Sequence, residues 1–364
     1  MLRAGLIGLP STGKTTLFQL LTRSAIDHDR SAARGEASIG VAHVPDDRLD
    51  RLTELFRPRK RVPATVTLAD MAARTGLSAG RQTLINVAPY READALLHVV
   101  RAFADERVAH PSGSIDPARD TRTIEDELIL ADLAVAERRL DRLERDRNKG
   151  AAEASDDELR VLRVCADTLG SGTPLRAVEL DTSAAKLLRG FQFLSAKPLL
   201  LVLNVDERDA GRDLDDLVRD AGLHDALAGA NVRAVSVCAK IELEIAELDR
   251  DDAQAFTADL GLDDAGLDRV VRAAYGLLGY ISFFTTGEDE CRAWSIPTGT
   301  VAQAAAGEIH TDMTRGFIRA EVVAYNHLIS RRSLAACRRN GEVRLEGKDY
   351  VVRDGDVLNI RFAT

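Results

Sequence analysis

The chain has 364 residues, enough for two or three domains rather than one. Hydrophobic residues make up 45% and charged ones 29%, the balance of a packed soluble protein, and the formal charge of −9 argues against a general nucleic-acid binder, so any RNA contact must come from a local basic face. Four scattered cysteines without a C-x-x-C pair argue against a disulfide frame or a zinc site and for reduced thiols in a cytoplasm, no apolar run reaches the ~18 residues of a membrane span, and no signal peptide is visible.

In chain order, LRAGLIGL reads as a short buried strand. GLPSTGKT follows, fitting G-x-x-x-x-G-K-[ST], and KTTLFQLLTR reads as a helix. Strand, glycine-rich loop and helix form the context that a phosphate loop requires. The polar, aperiodic SAIDHDRSAARGEASIG reads as a loop. PATVTLAD is a second strand candidate, ending at Asp70; further apolar runs are ADALLHVVRAF, KPLLLVLNVDE and VRAVSVCAK. Aliphatic strands separated by helices imply an α/β fold with a doubly wound, mainly parallel sheet that binds ligands at its carboxyl edge.

An insertion interrupts this pattern. Ile129, Leu133, Ala136, Leu140 and Leu143 are spaced alternately by four and three, and Leu159, Leu162, Ala166 and Leu169 repeat the stripe after a turn-like NKGAAEASDD. This predicts an antiparallel helical hairpin over 123–195; the competing reading is an ordinary amphipathic helix pair packed on the core. The nucleotide domain then comprises 1–122 and 196–278. From 279 to 364 the texture is β-rich, with EGKD and RDGD marking tight reversals, and predicts a separate small α+β domain.

The phosphate loop assigns nucleotide contacts to Pro10, Ser11, Thr12, Gly13, Lys14, Thr15 and Thr16. Its amides and the helix dipole favour phosphate, Lys14 reaches the β- and γ-phosphates, and the Thr15 hydroxyl binds Mg²⁺. Asp70 is placed to hold the same Mg²⁺ through water and, with Lys14, to carry the chemistry; otherwise it is a helix N-cap. In GTP-binding relatives of the fold, N-K-x-D reads the base. Here Asn204 is followed by Val205 in place of Lys, and Glu207 stands in place of Asp. Glu is a methylene longer, and loss of the bidentate guanine contact costs roughly 1–3 kcal/mol of discrimination. The Asn204 amide can still address an adenine edge; the bland alternative is a surface turn. Cys238, Ala239 and Lys240 resemble the SAK loop that closes over the base.

Together these stretches resemble the YchF or Obg-like ATPases, a family of P-loop proteins related to translation factors, over nearly the whole length. GLIGLPSTGKTTLFQLLT, VPDDRLDRL, READALLHVVRAF and KPLLLVLNVDE carry the resemblance, above all with GEIHTDMTRGFIRAEVVAY and LEGKDYVVRDGDVLNIRF. The resemblance implies a C-terminal TGS domain of β-grasp type. It also implies ATP or ADP as ligand with Mg²⁺, an N-x-x-E base motif at Asn204 and Glu207, and a ribosome or RNA partner. The family's D-x-A-G is DMAA here, with Ala73 for Gly and Arg74 where the family has a hydrophobic residue; RGEAS replaces the threonine-bearing first switch. Arg74 is either a finger on the γ-phosphate or a solvated loop residue. The expectation is an ATP-binding, Mg²⁺-dependent protein that hydrolyses slowly. The alternatives are an Obg-type GTPase and a binding module in which nucleotide is structural. The hairpin arginines Arg138, Arg139, Arg142, Arg145 and Arg147 face either RNA or the interleaved Glu137, Asp141, Glu144 and Asp146 within their own helix.

Overall fold

The computed structural model describes residues 2–23, 38–70, 76–78, 81–83, 86–148, 156–229, 231–260, 262 and 265–363. Ala73, Arg74 and the first-switch stretch up to residue 37 lie outside the described residues. In chain order come β1 (Arg3–Ile7), α1 (Lys14–Thr22), β2 (Ser38–His43), α2 (Asp47–Phe56), β3 (Lys60–Val62) and β4 (Thr65–Asp70). Two short strands, β5 (Gly76–Ser78) and β6 (Arg81–Thr83), precede β7 (Ala95–Ala102), the long α3 (Pro117–Asn148) and α4 (Asp156–Gly170). Then follow β8 (Leu199–Val205), β9 (Val232–Val237), α5 (Ala239–Glu247) and α6 (Gly266–Leu277). The C-terminal stretch holds β10 (Tyr280–Thr286), β11 (Glu290–Pro297), α7 (Ala302–Ile309), β12 (Phe317–Ala324), β13 (Arg344–Glu346) and β14 (Asp356–Phe362).

Two compact units result: Met1–Val41 with Thr67–Leu277, and Ala42–Val66 with Leu278–Thr364. The first is built on a six-stranded sheet of order β2-β4-β1-β7-β8-β9. Its β4-β1-β7-β8-β9 pairings are parallel. β7 and β8 are buried along nearly their whole length, as strands covered on both faces must be, and this is why they read as continuous aliphatic runs.

The root of α3 and the rest of it serve different cores. Ile124 and Leu128 at the root pack with Leu199, Leu201 and Leu203 of β8. Further along, Ile129, Ala136 and Leu143 pack against Leu159, Leu162, Cys165 and Leu169 of α4 in a cluster of their own. Those heptad positions are therefore the seam of a hairpin, as their spacing predicts. A fully buried leucine is worth ~2 kcal/mol over an exposed one, so the seam alone can hold the two helices together. The charge pattern differs from the intrahelical expectation. Arg139 pairs with Glu158 at 2.8 Å and Arg163 with Glu144 at 2.9 Å, both across the seam, while the i,i+4 pair Arg142–Asp146 is long at 3.9 Å. Intrahelical pairing also occurs, as between Arg160 and Asp157 at 3.2 Å in α4, so the hairpin's charges pair both within and between its helices.

In the second unit the order is β13-β12-β14-β10-β11-β3. β10 and β14 lie parallel at its centre, with β11 and β12 antiparallel outside them, the β-grasp arrangement. Ala302, Ala305 and Ala306 of α7 are fully buried, and small residues let this helix lie close to the sheet. The segment 42–66, placed with the nucleotide part when read as sequence alone, packs in this unit instead. β3 extends the sheet beside β11, and Arg48 of α2 bonds the Asp354 carboxylate at 2.7 Å. An amphipathic stripe such as Leu49 and Leu52 specifies a buried face but not the body that buries it.

Candidate nucleotide site

β1 ends at the carboxyl edge of the sheet, and the chain turns there at Gly8. Its φ is 152°, and a Cβ would stand 2.5 Å from the Val99 carbonyl oxygen of β7, so only glycine lets the loop leave the sheet at this point. Ser11 adopts a left-handed φ of 63°, and Gly13, the N-cap of α1, has φ 92°. The Thr12 hydroxyl donates to the Leu9 carbonyl at 3.1 Å and the Lys14 ammonium to the same oxygen at 2.6 Å. The loop is thus closed on itself ahead of the α1 N-terminus, where free amides favour anions. Pro10 precedes this turn, and Thr15 and Thr16 occupy the first turn of α1.

Lys14 is buried, and desolvation lowers its pKa to about 8 against the opposing attraction of Asp70. A buried ammonium gains most from a polyphosphate that pairs with it. Asp70 ends β4 with its residue opposite Leu6 of β1, and is itself buried. The strand therefore delivers this carboxylate to the edge where the phosphate loop begins.

Asn204 is the penultimate residue of β8, and only 4% of its surface is exposed. Its Nδ2 donates to the Thr12 carbonyl at 3.1 Å, and its Oδ1 accepts from the Ala239 amide at 3.1 Å. A Cβ on Gly13 would stand 2.4 Å from that Nδ2. The amide that sequence reading offered to an adenine edge thus ties the phosphate loop to the 238–240 loop. Val205 is buried beside it. Glu207 and Lys240 face each other at 2.8 Å, both half-exposed, and the carboxylate raises the lysine pKa. Asp206 accepts from the Ala104 amide at 3.1 Å, which ties the chain leaving β8 to the chain leaving β7. Cys238, the N-cap of α5, is buried, and burial pushes its thiol pKa up. It is a small core residue rather than a reactive thiol.

Residues 280–363 match the YchF-GTPase C-terminal family, described as a protein of unknown function (DUF933). The ribosome-binding ATPase YchF of Bacillus subtilis is 41% identical over 370 residues, covering 99% of both chains. That of Escherichia coli O157:H7 is 39% identical, again over 99% of both. The chain belongs to the YchF family. The solved structure of the Schizosaccharomyces pombe YchF GTPase superposes with a TM-score of 0.84 at 29% identity, over 99% of this chain and 97% of that one. The YchF match thus runs through the phosphate loop, the hairpin and the β-grasp unit alike.

Two residues of β7 escaped the motif-based reading of this YchF chain. His98 is completely buried, and desolvation, with Lys14 and then Arg176 adding to it, lowers its pKa to about 3, so it is neutral. Arg101 sits opposite Asn204 in the sheet and is 1% exposed. Its Nε and Nη2 donate to the Phe103 and Asp105 carbonyls at 3.2 Å, its guanidinium lies 4.6 Å from the Phe103 ring centroid, and its Nη1 has no partner among the described residues. The available signal was a cation inside an otherwise aliphatic strand. A buried guanidinium at the carboxyl edge adds positive charge where a polyphosphate would lie.

The residues present fit a nucleotide: glycine-only space at Gly8 and Gly13, and two buried cations at one sheet edge. Among the described residues no group of three or more His, Cys, Asp or Glu side chains could hold a metal alone. The buried Asp70 carboxylate at the end of β4 is of the kind that Mg²⁺ takes, one or two protein ligands being completed by phosphates and water.

Proposed function

We propose that this YchF protein is a ribosome-associated P-loop protein that binds ATP and ADP with Mg²⁺ and hydrolyses ATP slowly. The observation that carries the reading is the Asn204 bridge. It fuses the phosphate loop and the 238–240 loop into one frame around a base pocket whose acidic residue is glutamate, already paired with Lys240. In this reading Pro10 to Thr16 hold the phosphates, Lys14 neutralises the β- and γ-phosphate oxygens, and Thr15 and Asp70 hold Mg²⁺. Val205, Glu207, Cys238, Ala239 and Lys240 border the base. Mg²⁺, when bound, supplies charge neutralisation between the β- and γ-phosphates. Reading guanine would require Glu207 to leave Lys240 and still reach the position of a shorter aspartate, which supports adenine.

The slow turnover in this reading draws on sequence: Ala73 replaces the glycine whose amide faces the γ-phosphate in the family, and the altered first switch lacks the threonine that would meet Mg²⁺. The ribosome assignment draws on the names of the bacterial relatives, and the hairpin and β-grasp unit supply the surfaces for it. The corresponding domain assignment is 1–122 with 196–278 for nucleotide, less the segment 42–66 that packs with the C-terminal unit, 123–195 for the hairpin and 279–364 for the TGS part, in a cytoplasmic protein. Calorimetric titration with ATP, ADP and GTP in Mg²⁺ tests the base preference, and single-turnover hydrolysis tests the rate. Tighter binding of GTP than ATP would instead support a GTPase, the activity by which the fission-yeast relative is named. Ribosome co-sedimentation indifferent to nucleotide would favour a binding module.

A further inference from the structure

Arg101 is the bulkiest fully buried side chain among the described residues, and it stands opposite Asn204 in the parallel register of β7 and β8. Its described hydrogen bonds go to two main-chain carbonyls and to no carboxylate. Desolvating a guanidinium without an ionic partner costs stability, and an apolar side chain of similar volume would fill the position at less cost. The reason for an arginine here lies in what its bonds hold.

Those bonds grip the chain just beyond the strand. Nε takes the Phe103 carbonyl and Nη2 the Asp105 carbonyl, both at 3.2 Å. Between these two, the Ala104 amide donates to the Asp206 carboxylate at 3.1 Å. Three successive residues are thus each held by one bond, two of the bonds coming from Arg101 and one from the chain leaving β8. The Phe103 ring centroid lies 4.6 Å from the guanidinium. Only a rigid planar fork reaches two carbonyls at once from one side chain; an ammonium is a single point. Phe103 and Asp105 are only partly buried and Ala104 is exposed, so water can reach this stretch. The arginine therefore selects one conformation of the loop rather than rescuing buried carbonyls.

Asp206 lies between Val205 and Glu207, the residues assigned to the border of the base. Val205 stands where N-K-x-D proteins carry a lysine and has no polar group of its own, while Arg101 brings a cation to the same sheet edge from the neighbouring strand. We propose that Arg101 is a positioning residue of the base pocket: its fork holds the 103–105 loop and, through the Ala104–Asp206 bond, sets the 205–207 turn against the adenine ring. This assignment rests on the base-site reading of Asn204 to Glu207.

The test compares ATP with inorganic tripolyphosphate, which lacks base and ribose, by calorimetry on the full chain in Mg²⁺. The parent binds ATP more tightly than tripolyphosphate. Arg101→Lys keeps the charge without the fork, and Arg101→Met keeps only the stem. In both variants the ratio of ATP to tripolyphosphate affinity falls by at least about tenfold. In the lysine variant tripolyphosphate affinity itself stays within about twofold of the parent, because the charge is retained. The urea midpoint of Arg101→Met is unchanged or raised, since a buried charge has been removed. A lowered midpoint with the parent's affinity ratio marks a purely structural arginine and overturns the assignment. Equal losses for ATP and tripolyphosphate mark a charge acting on phosphates and overturn it too, as does a lysine variant that keeps the parent's ratio. If the parent itself binds tripolyphosphate as tightly as ATP, the base-site reading fails and this assignment falls with it.

Discussion

The Asn204 side chain donates to the backbone carbonyl of Thr12 at 3.1 Å across 192 residues of sequence, while its oxygen accepts from the Ala239 amide. A single buried amide thus joins two loops that reach the site from different strands. Asn204→Ala leaves a buried carbonyl and a buried N–H without partners, which costs about 2–4 kcal/mol. The expected result is a lower urea midpoint together with at least a tenfold loss in ATP and ADP affinity. Asn204→Asp keeps the acceptor for Ala239 but sets a carboxylate against the Thr12 carbonyl, and should lose affinity as severely. An alanine variant that binds ATP as well as the parent would refute the bridging role.

Glu207 and Lys240 bear on base choice rather than on stability. Their ion pair is exposed and screened by water, so removing it by Lys240→Ala should leave the urea midpoint unchanged. The double variant Glu207→Asp with Val205→Lys restores the N-K-x-D pattern beside Asn204. It should raise GTP affinity relative to ATP by about tenfold or more. Competition titrations of both nucleotides measure the ratio, and an unchanged ratio would show that the base lies elsewhere.

Much of this architecture was legible in the sequence because its signals are local. The glycine spacing at Gly8 and Gly13 reflects close approaches of backbone and side chain that any other residue would obstruct. The heptad stripe of Ile129, Ala136 and Leu143 records a seam between two long helices. What stayed hidden depends on distant partners. Leu49 and Leu52 are buried in the C-terminal unit although they lie some 230 residues upstream of it, and nothing in their spacing names that body. Asn204 reads as a base-binding residue by motif, yet its amide is occupied by two backbone groups that only folding brings near. The same holds for Glu125 and Arg176, paired at 2.6 Å across 51 residues that no spacing rule relates.

Arg48 shows how the early segment is fixed to the C-terminal unit. It bonds Asp46 and Asp354 and lies 5.2 Å from the Phe284 ring centroid. Arg48→Ala removes the ion pairs and the packed stem and should cost about 2 kcal/mol by urea unfolding. Arg48→Met restores the stem but not the charge, so it should recover less than half of the loss. Full recovery by methionine would mean that packing alone anchors the segment.

His98 makes stability depend on pH in a predictable direction. An unfolded chain protonates this imidazole near 6.5, whereas burial, with the cations Lys14 and Arg176 facing it, holds the native pKa near 3. Between those values the unfolded state binds more protons, so stability is full above pH 6.5 and declines as the pH falls. The decline attributable to His98 should reach roughly 2 kcal/mol by pH 5. Replacing it by leucine removes the titrating group. The free-energy difference between wild type and His98→Leu, measured by urea unfolding at pH 7 and pH 5, should therefore shift by that amount in favour of the variant at the lower pH. Parallel curves for the two proteins would mean that His98 takes up its proton in the folded state as readily as in the unfolded one. Burial within β7 would then not keep it neutral.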